Sequence, residues 1–596
     1  MSGIDRAFAY EVPSGFAETL EIGCIVRVVL NGRRVRGWVV GEGSGLPAEL
    51  ELRPVRELVS LGPPPSVVEL AGWAAWRYSG RLRPLLMAAS PPRIVRALPA
   101  PALLPAGPAA ASYAPRASTR PDYEIAEATA QALSSLSAVL RLPPAAARLS
   151  VIEAVIEAKA GEPGDLLVLA ASRGDAQTLA SRLERSGHRV ALQPDAWAEA
   201  AAGGCIVVGT RSAVLAPLRA LSAVVVLDAH ADSYQEERVP TWEAGVLAEQ
   251  RARRAAVPCL LVSACPTLEM LAGRPLVTLS RAAERSGWAP VELIDAREED
   301  PRALGYPTRL ASVLRDAAEA DPTRPVVAVL NRRGRARLLA CGRCRGLLRC
   351  EVCGAALVQL ERPGVGERAL LSCPRCSSFA PACCPTCGPT RPRIVKPGVS
   401  RARDDLAALT GLEVAEIGGA PGGPDTNGEA PVLIGTEAVL HRVPSASAVV
   451  FLDFDHELLA PRFRSGEQAL SLLALASRLV GGRRRDGRVV VRTRLMDHEV
   501  LVSAVAADPG RLVAVEKARR RLLRLPPETA LALVSGAGAA EFVERLRDKK
   551  TGLEIGGLAP DRFLVRGSSP DELAQGLAAA GHPLAKTRVE VAPRMV

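Results

Sequence analysis

Aromatic residues are scarce in this chain of 596 residues, at 3% of the total. That scarcity argues against a platform for single-stranded bases, because each stacked base needs an aromatic face beneath it. No apolar stretch approaches the roughly 20 residues that a bilayer crossing requires. The opening MSGIDRAFAYEVP lacks the basic-then-apolar pattern of a secretory signal. A cytoplasmic protein with no membrane partner is the expectation. The pattern GxxxxGK[ST] occurs nowhere in the sequence. The usual loop that cradles a triphosphate, with its glycines, its lysine and its hydroxyl, is therefore missing.

What is present describes a globular protein of several domains. Hydrophobic residues make up 48% and charged residues 23%, which is ordinary for a soluble fold, and the length suggests about three to five domains. The net charge of +11 comes from 75 Lys and Arg against 64 Asp and Glu. Such a balance favours a polyanionic partner, since basic side chains that neutralise phosphates release condensed counterions. It also fits arginines that merely decorate solvated faces in a chain rich in Ala, Gly and Pro.

Along the chain, residues 1–96 read as a small β-rich domain. The β-branched runs 22–30 and 33–42 flank Asn31-Gly32, a strong hairpin signal, and a helical pattern follows over 66–89. Residues 97–121 are rich in Pro and Ala without periodicity and read as a linker. From 122 to 290, helical patterns alternate with apolar runs such as DLLVLAAS (165–172) and AVVVLDA (223–229), which predicts a parallel sheet covered by helices. A second unit of this kind spans 291–510, interrupted by a cysteine-rich insertion at 338–392. The remaining 511–596 predict a further α/β domain.

The 13 cysteines are unevenly placed: Cys24, Cys205, Cys259 and Cys265 are scattered, whereas nine lie between 341 and 387. In a reducing compartment such clustering points to metal rather than to disulfides. Eight of the nine form CxxC pairs: Cys341 with Cys344, Cys350 with Cys353, Cys373 with Cys376, and Cys384 with Cys387. Each pair can turn two thiolates toward one tetrahedral zinc at about 2.3 Å. Eight thiolates suffice for two closed sites, so the expectation is two structural Zn2+ per chain with no open position for catalysis. Gly342, Gly354 and Gly388 supply turn freedom to the knuckles, and Cys383 reads as a bystander. A thioredoxin-like redox site needs one CxxC after a strand rather than four in succession, and ferredoxin spacing is absent. Spacing leaves three pairings of the four knuckles open.

Here the sequence resembles the bacterial primosomal protein N′ (PriA) family, replication-restart proteins built on a superfamily 2 helicase. The zinc module preceded by Asn331-Arg332-Arg333-Gly334 is similar to that family's insertion. Arg6-Ala7-Phe8-Ala9-Tyr10 resembles its DNA-end-binding start. Ile206 to Val214 (IVVGTRSAV), Leu433-Ile434-Gly435-Thr436, Leu452-Asp453 through Pro461-Arg462-Phe463, and the ending Val589 to Pro593 resemble further family segments. The resemblance implies two degenerate RecA-like lobes, a β-rich DNA-binding N-terminal domain and a DNA-binding C-terminal domain. It also implies a nested pairing, with Cys341, Cys344, Cys384 and Cys387 on one zinc and Cys350, Cys353, Cys373 and Cys376 on the other. The implied partners are branched or forked DNA and other primosome and helicase-loading proteins, met by a monomer associated with the nucleoid.

The ATPase residues depart from the family pattern. The phosphate loop's place before a helix at 148–160 reads Leu142-Pro143-Pro144-Ala145-Ala146-Ala147; proline removes amide donors and alanine brings no charge. The family's DEEH aligns with Leu227-Asp228-Ala229-His230, where Asp228 and His230 read as a satisfied pair at a strand end. SAT becomes Ser263-Ala264-Cys265, and the arginine-finger segment becomes Leu475 to Gly482, followed by Arg483, Arg484 and Arg485. ATP is therefore not an expected cofactor and no catalytic residue is assigned. Ala9 replaces the family's end-contacting Asp, while Phe8 and Tyr10 remain as candidate DNA contacts. Arg332, Arg333 and Arg335, beside the zinc module, are candidate phosphate contacts. The basic run Lys517 to Arg524, mixed with Leu522 and Leu523, reads as a solvated helix face. The function so implied is recognition of abandoned or stalled forks and reloading of the replicative helicase without helicase activity. An ATP-driven 3′-5′ helicase with an unorthodox nucleotide site is one rival, and a zinc-dependent protein scaffold with no DNA role is another.

Overall fold

A computed structural model describes residues 6–43, 51–100, 120–298, 306–330, 339–344, 346–359, 370–373, 375–376, 378–390, 392–394, 399–417, 430–583 and 586–594. The chain forms two compact units. One comprises 1–141, 147–278 and 524–593, the other 142–146, 279–523 and 594–596.

The first unit begins with an antiparallel sheet ordered Arg33–Trp38, Ile25–Leu30, Glu57–Ser60. Asn31 and Gly32 both take positive φ, 48° and 74°, the backbone of a type I′ turn that matches the twist of its strands. Alternation along the strands turns Val26, Val28 and Val35 inward against Val55. Helices Pro65–Arg77 and Leu82–Ala89 then bury Leu70, Ala74, Leu85 and Leu86 in one core with the next sheet.

That sheet has seven strands, all parallel, in the order Leu276–Thr278, Ser137–Arg141, Cys259–Ser263, Leu221–Val226, Asp165–Leu169, Ile206–Gly209, Val190–Leu192. Its central strands are unbroken apolar runs because helices cover both faces: every residue of Asp165–Leu169, Ile206–Gly209 and Cys259–Ser263 is buried. The four scattered cysteines are all buried, and Cys205 and Cys259 belong to this interior. Burial, chiefly, pushes the Cys205 thiol up to about 12, which leaves it chemically inert. The unit closes with Ala530–Ser535, Glu554–Ala559, Arg562–Gly567 and Arg588–Val591, an antiparallel sheet. Helices Ala539–Asp548 and Pro570–Ala579 connect its strands. In chain order the spatial arrangement is fourth, first, third, second, the split βαβ topology of ferredoxin-like folds.

The second unit carries a six-stranded parallel sheet ordered Val291–Asp295, Arg488–Thr493, Ala448–Phe451, Val326–Val329, Val432–Gly435, Val414–Ile417. Leu310, Leu314, Leu406 and Val450 meet in its core. The multidomain α/β architecture expected from the sequence is thus present, with two parallel sheets and the cysteine module between Val326–Val329 and the helix Val399–Thr410.

One expectation is corrected. Most of the basic run 517–524 lies on the helix Pro509–Leu523, where Lys517 and Arg521 are exposed as a solvated face requires, but Arg520 is 1% exposed while Leu522 is 83% exposed. The Arg520 guanidinium pairs with Glu467 and Glu516 and lies 5.1 Å over the Phe463 ring. Arg519 beside it pairs with Glu516 and, at 2.6 Å, with Glu499. A buried pair costs most when one partner is removed, because the other charge stays dry and alone. Arg520→Ala should therefore destabilise the second unit by about 3 kcal/mol. Urea denaturation checks this; a loss below about 0.5 kcal/mol, typical of a surface site, would mean the network carries no stability.

Candidate metal centre

The cysteine module is built from short antiparallel strands. Leu339–Cys341 pairs with Pro392–Ile394, Leu370–Ser372 lies between Val358–Gln359 and Phe379–Pro381, and Cys383–Cys384 pairs with Gly388–Pro389. Gly354 and Gly388 take φ of 73° and 79° just after a CxxC, the turn that lets the second sulfur swing back toward the first.

The eight paired thiols converge in two clusters. One holds Cys341, Cys344, Cys384 and Cys387, the other Cys350, Cys353, Cys373 and Cys376, with the sulfurs of each within 4.8 Å of one another. The close approaches run across the knuckles: Cys341 to Cys387 is 3.3 Å, Cys344 to Cys384 is 3.4 Å, Cys350 to Cys376 is 3.5 Å and Cys353 to Cys373 is 3.4 Å. A tetrahedron with bonds of about 2.3 Å has edges of about 3.8 Å, so each cluster has the dimensions of a closed four-sulfur metal site. Cys383 is exposed and lies in neither cluster.

Within the clusters the thiols divide, with Cys341, Cys350, Cys373 and Cys384 held low and Cys344, Cys353 and Cys387 raised. Cys373 is drawn down to about 4, first by the hydrogen bond it accepts from Cys353; burial opposes, and the amides of Cys376 and Arg375 assist. Hydroxyls complete the shell. Thr390 Oγ1 lies 3.0 Å from Cys341 Sγ and accepts from the Gly342 amide, while Ser378 Oγ lies 3.1 Å from both Cys350 and Cys376. Outer partners of this kind orient ligands and tune their basicity. Ser378 and Thr390 escaped the sequence reading, although each stands two or three residues past the last cysteine of its cluster.

Arg375 escaped it too. Lying inside Cys373-Pro-Arg-Cys376, it reaches out of the module: Nη1 donates to the Cys353 carbonyl at 3.2 Å, and Nη2 to the carbonyls of Ala460 and Arg462 and to Ser465 Oγ at 2.9, 3.0 and 2.6 Å. Ala356 donates its amide to the Leu459 carbonyl, and the two side chains are buried together. The second cluster is thereby fixed to the body of its unit.

The other candidates are less concentrated. Phe8 is 43% exposed with Arg6 over its ring at 5.5 Å, and Tyr10 donates its hydroxyl to the Val29 carbonyl at 3.2 Å. Phe8 is therefore open to a partner, and Tyr10 anchors the segment that carries it to the strand Ile25–Leu30. Arg332, Arg333 and Arg335 lie outside the described residues. Arg483 and Arg484 donate to the Arg285 carbonyl and to Ser286, which ties them to the protein. Arg211 of the IVVGTRSAV segment donates to the carbonyls of Ser233 and Gln235 and pairs with Glu236. Asp228 and His230 are both bonded. Asp228 pairs with Arg148 at 2.7 Å, and His230 Nδ1 lies 2.8 Å from Ser263 Oγ.

Comparison with known proteins agrees with this picture. Residues 1–91 match the family model of the PriA 3′ DNA-binding domain (3′BD). The chain is 28% identical to the replication restart protein PriA of Bacillus subtilis over 55% of its own length and 43% of that protein's. The match to the Treponema pallidum protein is 29% over 54% of this chain and 50% of that one, so the chain spans about half the length of these curated relatives. With the probable replication restart protein PriA of Mycobacterium leprae, 29% identity extends over 98% of this chain and 92% of that one. Among solved structures, RecG bound to a three-way DNA junction gives a TM-score of 0.36 at 10% identity, over 67% of this chain and 46% of that one. A match confined to the first 91 residues would place a single domain, but the mycobacterial likeness covers 98% of this chain, and together the matches support a member of the PriA family.

Proposed function

We propose that this protein binds branched DNA at abandoned or stalled replication forks and promotes reloading of the replicative helicase, acting as a scaffold without a motor of its own. The observation that carries the DNA-binding part is the match of residues 1–91 to a 3′ DNA-binding domain, with Phe8 open to solvent at its start. The excess of basic residues supports a polyanionic partner.

The silent motor follows from chemistry. Holding the β- and γ-phosphates takes backbone amides, a lysine and a hydroxyl that binds Mg2+. The segment 142–147 offers two prolines and no polar side chain. The carboxylate of Asp228, within the segment that resembles the family's DEEH, is already paired with Arg148.

We further assign zinc to both four-cysteine clusters. Sulfur-only donors in tetrahedral array suit a borderline-soft ion without geometric demands, and calcium and magnesium require oxygen. Closed coordination makes the role structural. The domain boundaries 1–96, 97–121, 122–290, 291–510 and 511–596 serve as the working division of labour. The first and last segments bind DNA, the two middle ones form the body, and Arg332, Arg333 and Arg335 stand with Phe8 and Tyr10 as proposed DNA contacts. Primosome and helicase-loading proteins are the proposed protein partners, and the protein acts as a nucleoid-associated cytoplasmic monomer.

Three outcomes are expected. Elemental analysis of the purified chain should return two zinc equivalents, falling to one in Cys350→Ala; a value far below two in the wild type overturns the metal assignment. Ser378→Ala should lose metal to a chelator about 10-fold more readily, as is typical when an outer-shell partner is deleted, with Cys383→Ala unchanged. Forked DNA should bind with an affinity that falls steeply with salt, equally with and without MgATP. Fork-stimulated ATP turnover would establish the rival helicase reading, and fork affinity indifferent to salt would favour the protein scaffold.

A further inference from the structure

Open parallel sheets receive their ligands at the carboxyl edge, where loops and helix N-termini converge. In the first unit, three connections meet at that edge. After the strand Ser137–Arg141, the helix Arg148–Ala158 begins with Arg148. After Asp165–Leu169, Ser172 caps the helix Arg173–Arg185, with Asp175 in its first turn. After Leu221–Val226 comes Asp228, at φ 49°.

Arg148 joins them. Its Nη1 lies 2.7 Å from Asp228 Oδ2 and its Nη2 lies 2.8 Å from Asp175 Oδ1. Ser172 Oγ donates to the second Asp175 oxygen at 2.7 Å. Asp228 is 7% exposed. Two carboxylates from different elements converge here, and their mutual repulsion needs a cation between them.

Two features mark the guanidinium as more than a surface pair. An arginine at the first residue of a helix faces the positive end of the macrodipole, where a cation is disfavoured. Its place must therefore be sustained by the carboxylates. Its planar fork also reaches two acceptors at once and stays charged at any physiological pH. A hydrated metal ion can dissociate, whereas this cation is covalently tethered.

We propose that Arg148 is a built-in counter-ion that closes the ligand edge of the first parallel sheet, standing where a divalent cation would otherwise bridge Asp175 and Asp228. This rests on the reading of the body as nucleotide-free and names the residue that keeps it so. The edge is a cation site in kind, with its cation supplied by the chain.

Thermal melts of the full-length protein test it. Wild type should keep its Tm unchanged by millimolar Mn2+ or MgADP. Arg148→Ala should melt about 5 °C lower, since two facing carboxylates lose their partner, and Mn2+ should recover part of that loss. The Arg148→Ala, Asp228→Asn double variant should melt higher than the sum of the single effects, because the pair is removed together. Arg148→Lys keeps the charge but loses the fork. It should fold and melt between wild type and Arg148→Ala, so the test survives if the alanine variant does not fold. Arg148→Ala melting with wild type, or failing to respond to Mn2+, overturns the proposal, as does an additive double variant. A wild-type shift with MgADP instead overturns the nucleotide-free reading on which the proposal rests.

Discussion

Four sulfur atoms confined within 4.8 Å of one another cannot all carry their charge without a cation among them, and the cysteine module is organised around that constraint twice over. Its interior holds Leu339, Leu348, Ala355, Leu357 and Leu371, and the remaining buried positions in the same cluster are cysteines. Among the described residues, so few apolar side chains fall short of what a segment of this size needs to fold by burial. Metal binding is the term that can make up the difference, since structural zinc contributes on the order of 10 kcal/mol or more to folding in small domains. What a metal there would order is carried outward: Arg375, between two cysteines of the second cluster, donates to the segment that ends at Ser465.

The two parallel sheets follow a different logic, in which burial suffices and the edges are free to vary. Val224, Val225 and Val226 in one sheet, and Val449, Val450 and Phe451 in the other, are almost wholly buried. Their fold depends on apolar runs and not on any group that touches a ligand. The edge residues have meanwhile been drawn into internal bonds. Arg148 is held by Asp175 and Asp228, and Arg211 by Glu236 and two carbonyls. In the second sheet Asp455 accepts from Thr493 and the Arg494 amide.

Much of this could be read before any coordinates. Strands buried on both faces announce themselves as continuous Val and Leu runs, Asn31-Gly32 dictates a turn that few other pairs can make, and CxxC is a metal clamp by spacing alone. What stayed hidden depends on partners far apart in sequence. Arg520 finds Glu467 at a separation of 53 residues, and Arg148 finds Asp228 at a separation of 80. A helix pattern counts charges as solvated because it cannot see a carboxylate arriving from another element. The exchange on that helix, with Leu522 outside and Arg520 inside, is the consequence. Ser378 and Thr390 were hidden for a gentler reason: a hydroxyl near a cysteine is common, and only geometry shows which one touches sulfur.

The separation of core from edge explains how a body of this architecture can keep its shape while its chemistry changes. Residues that bind phosphate or metal stand on connections at the strand ends, where they add little to the buried area that holds the sheet together. On the proposed reading, Leu142-Pro143-Pro144-Ala145 in place of a phosphate loop removes a function without removing a core. Asp228, however, cannot simply be left behind, because a carboxylate this buried has to be paired or neutralised. The guanidinium of Arg148 meets that requirement at 2.7 Å. On the proposed reading, the charge once balanced by a dissociable ion is balanced by the chain itself, and an edge that elsewhere would open to a ligand becomes a fixed joint in the scaffold.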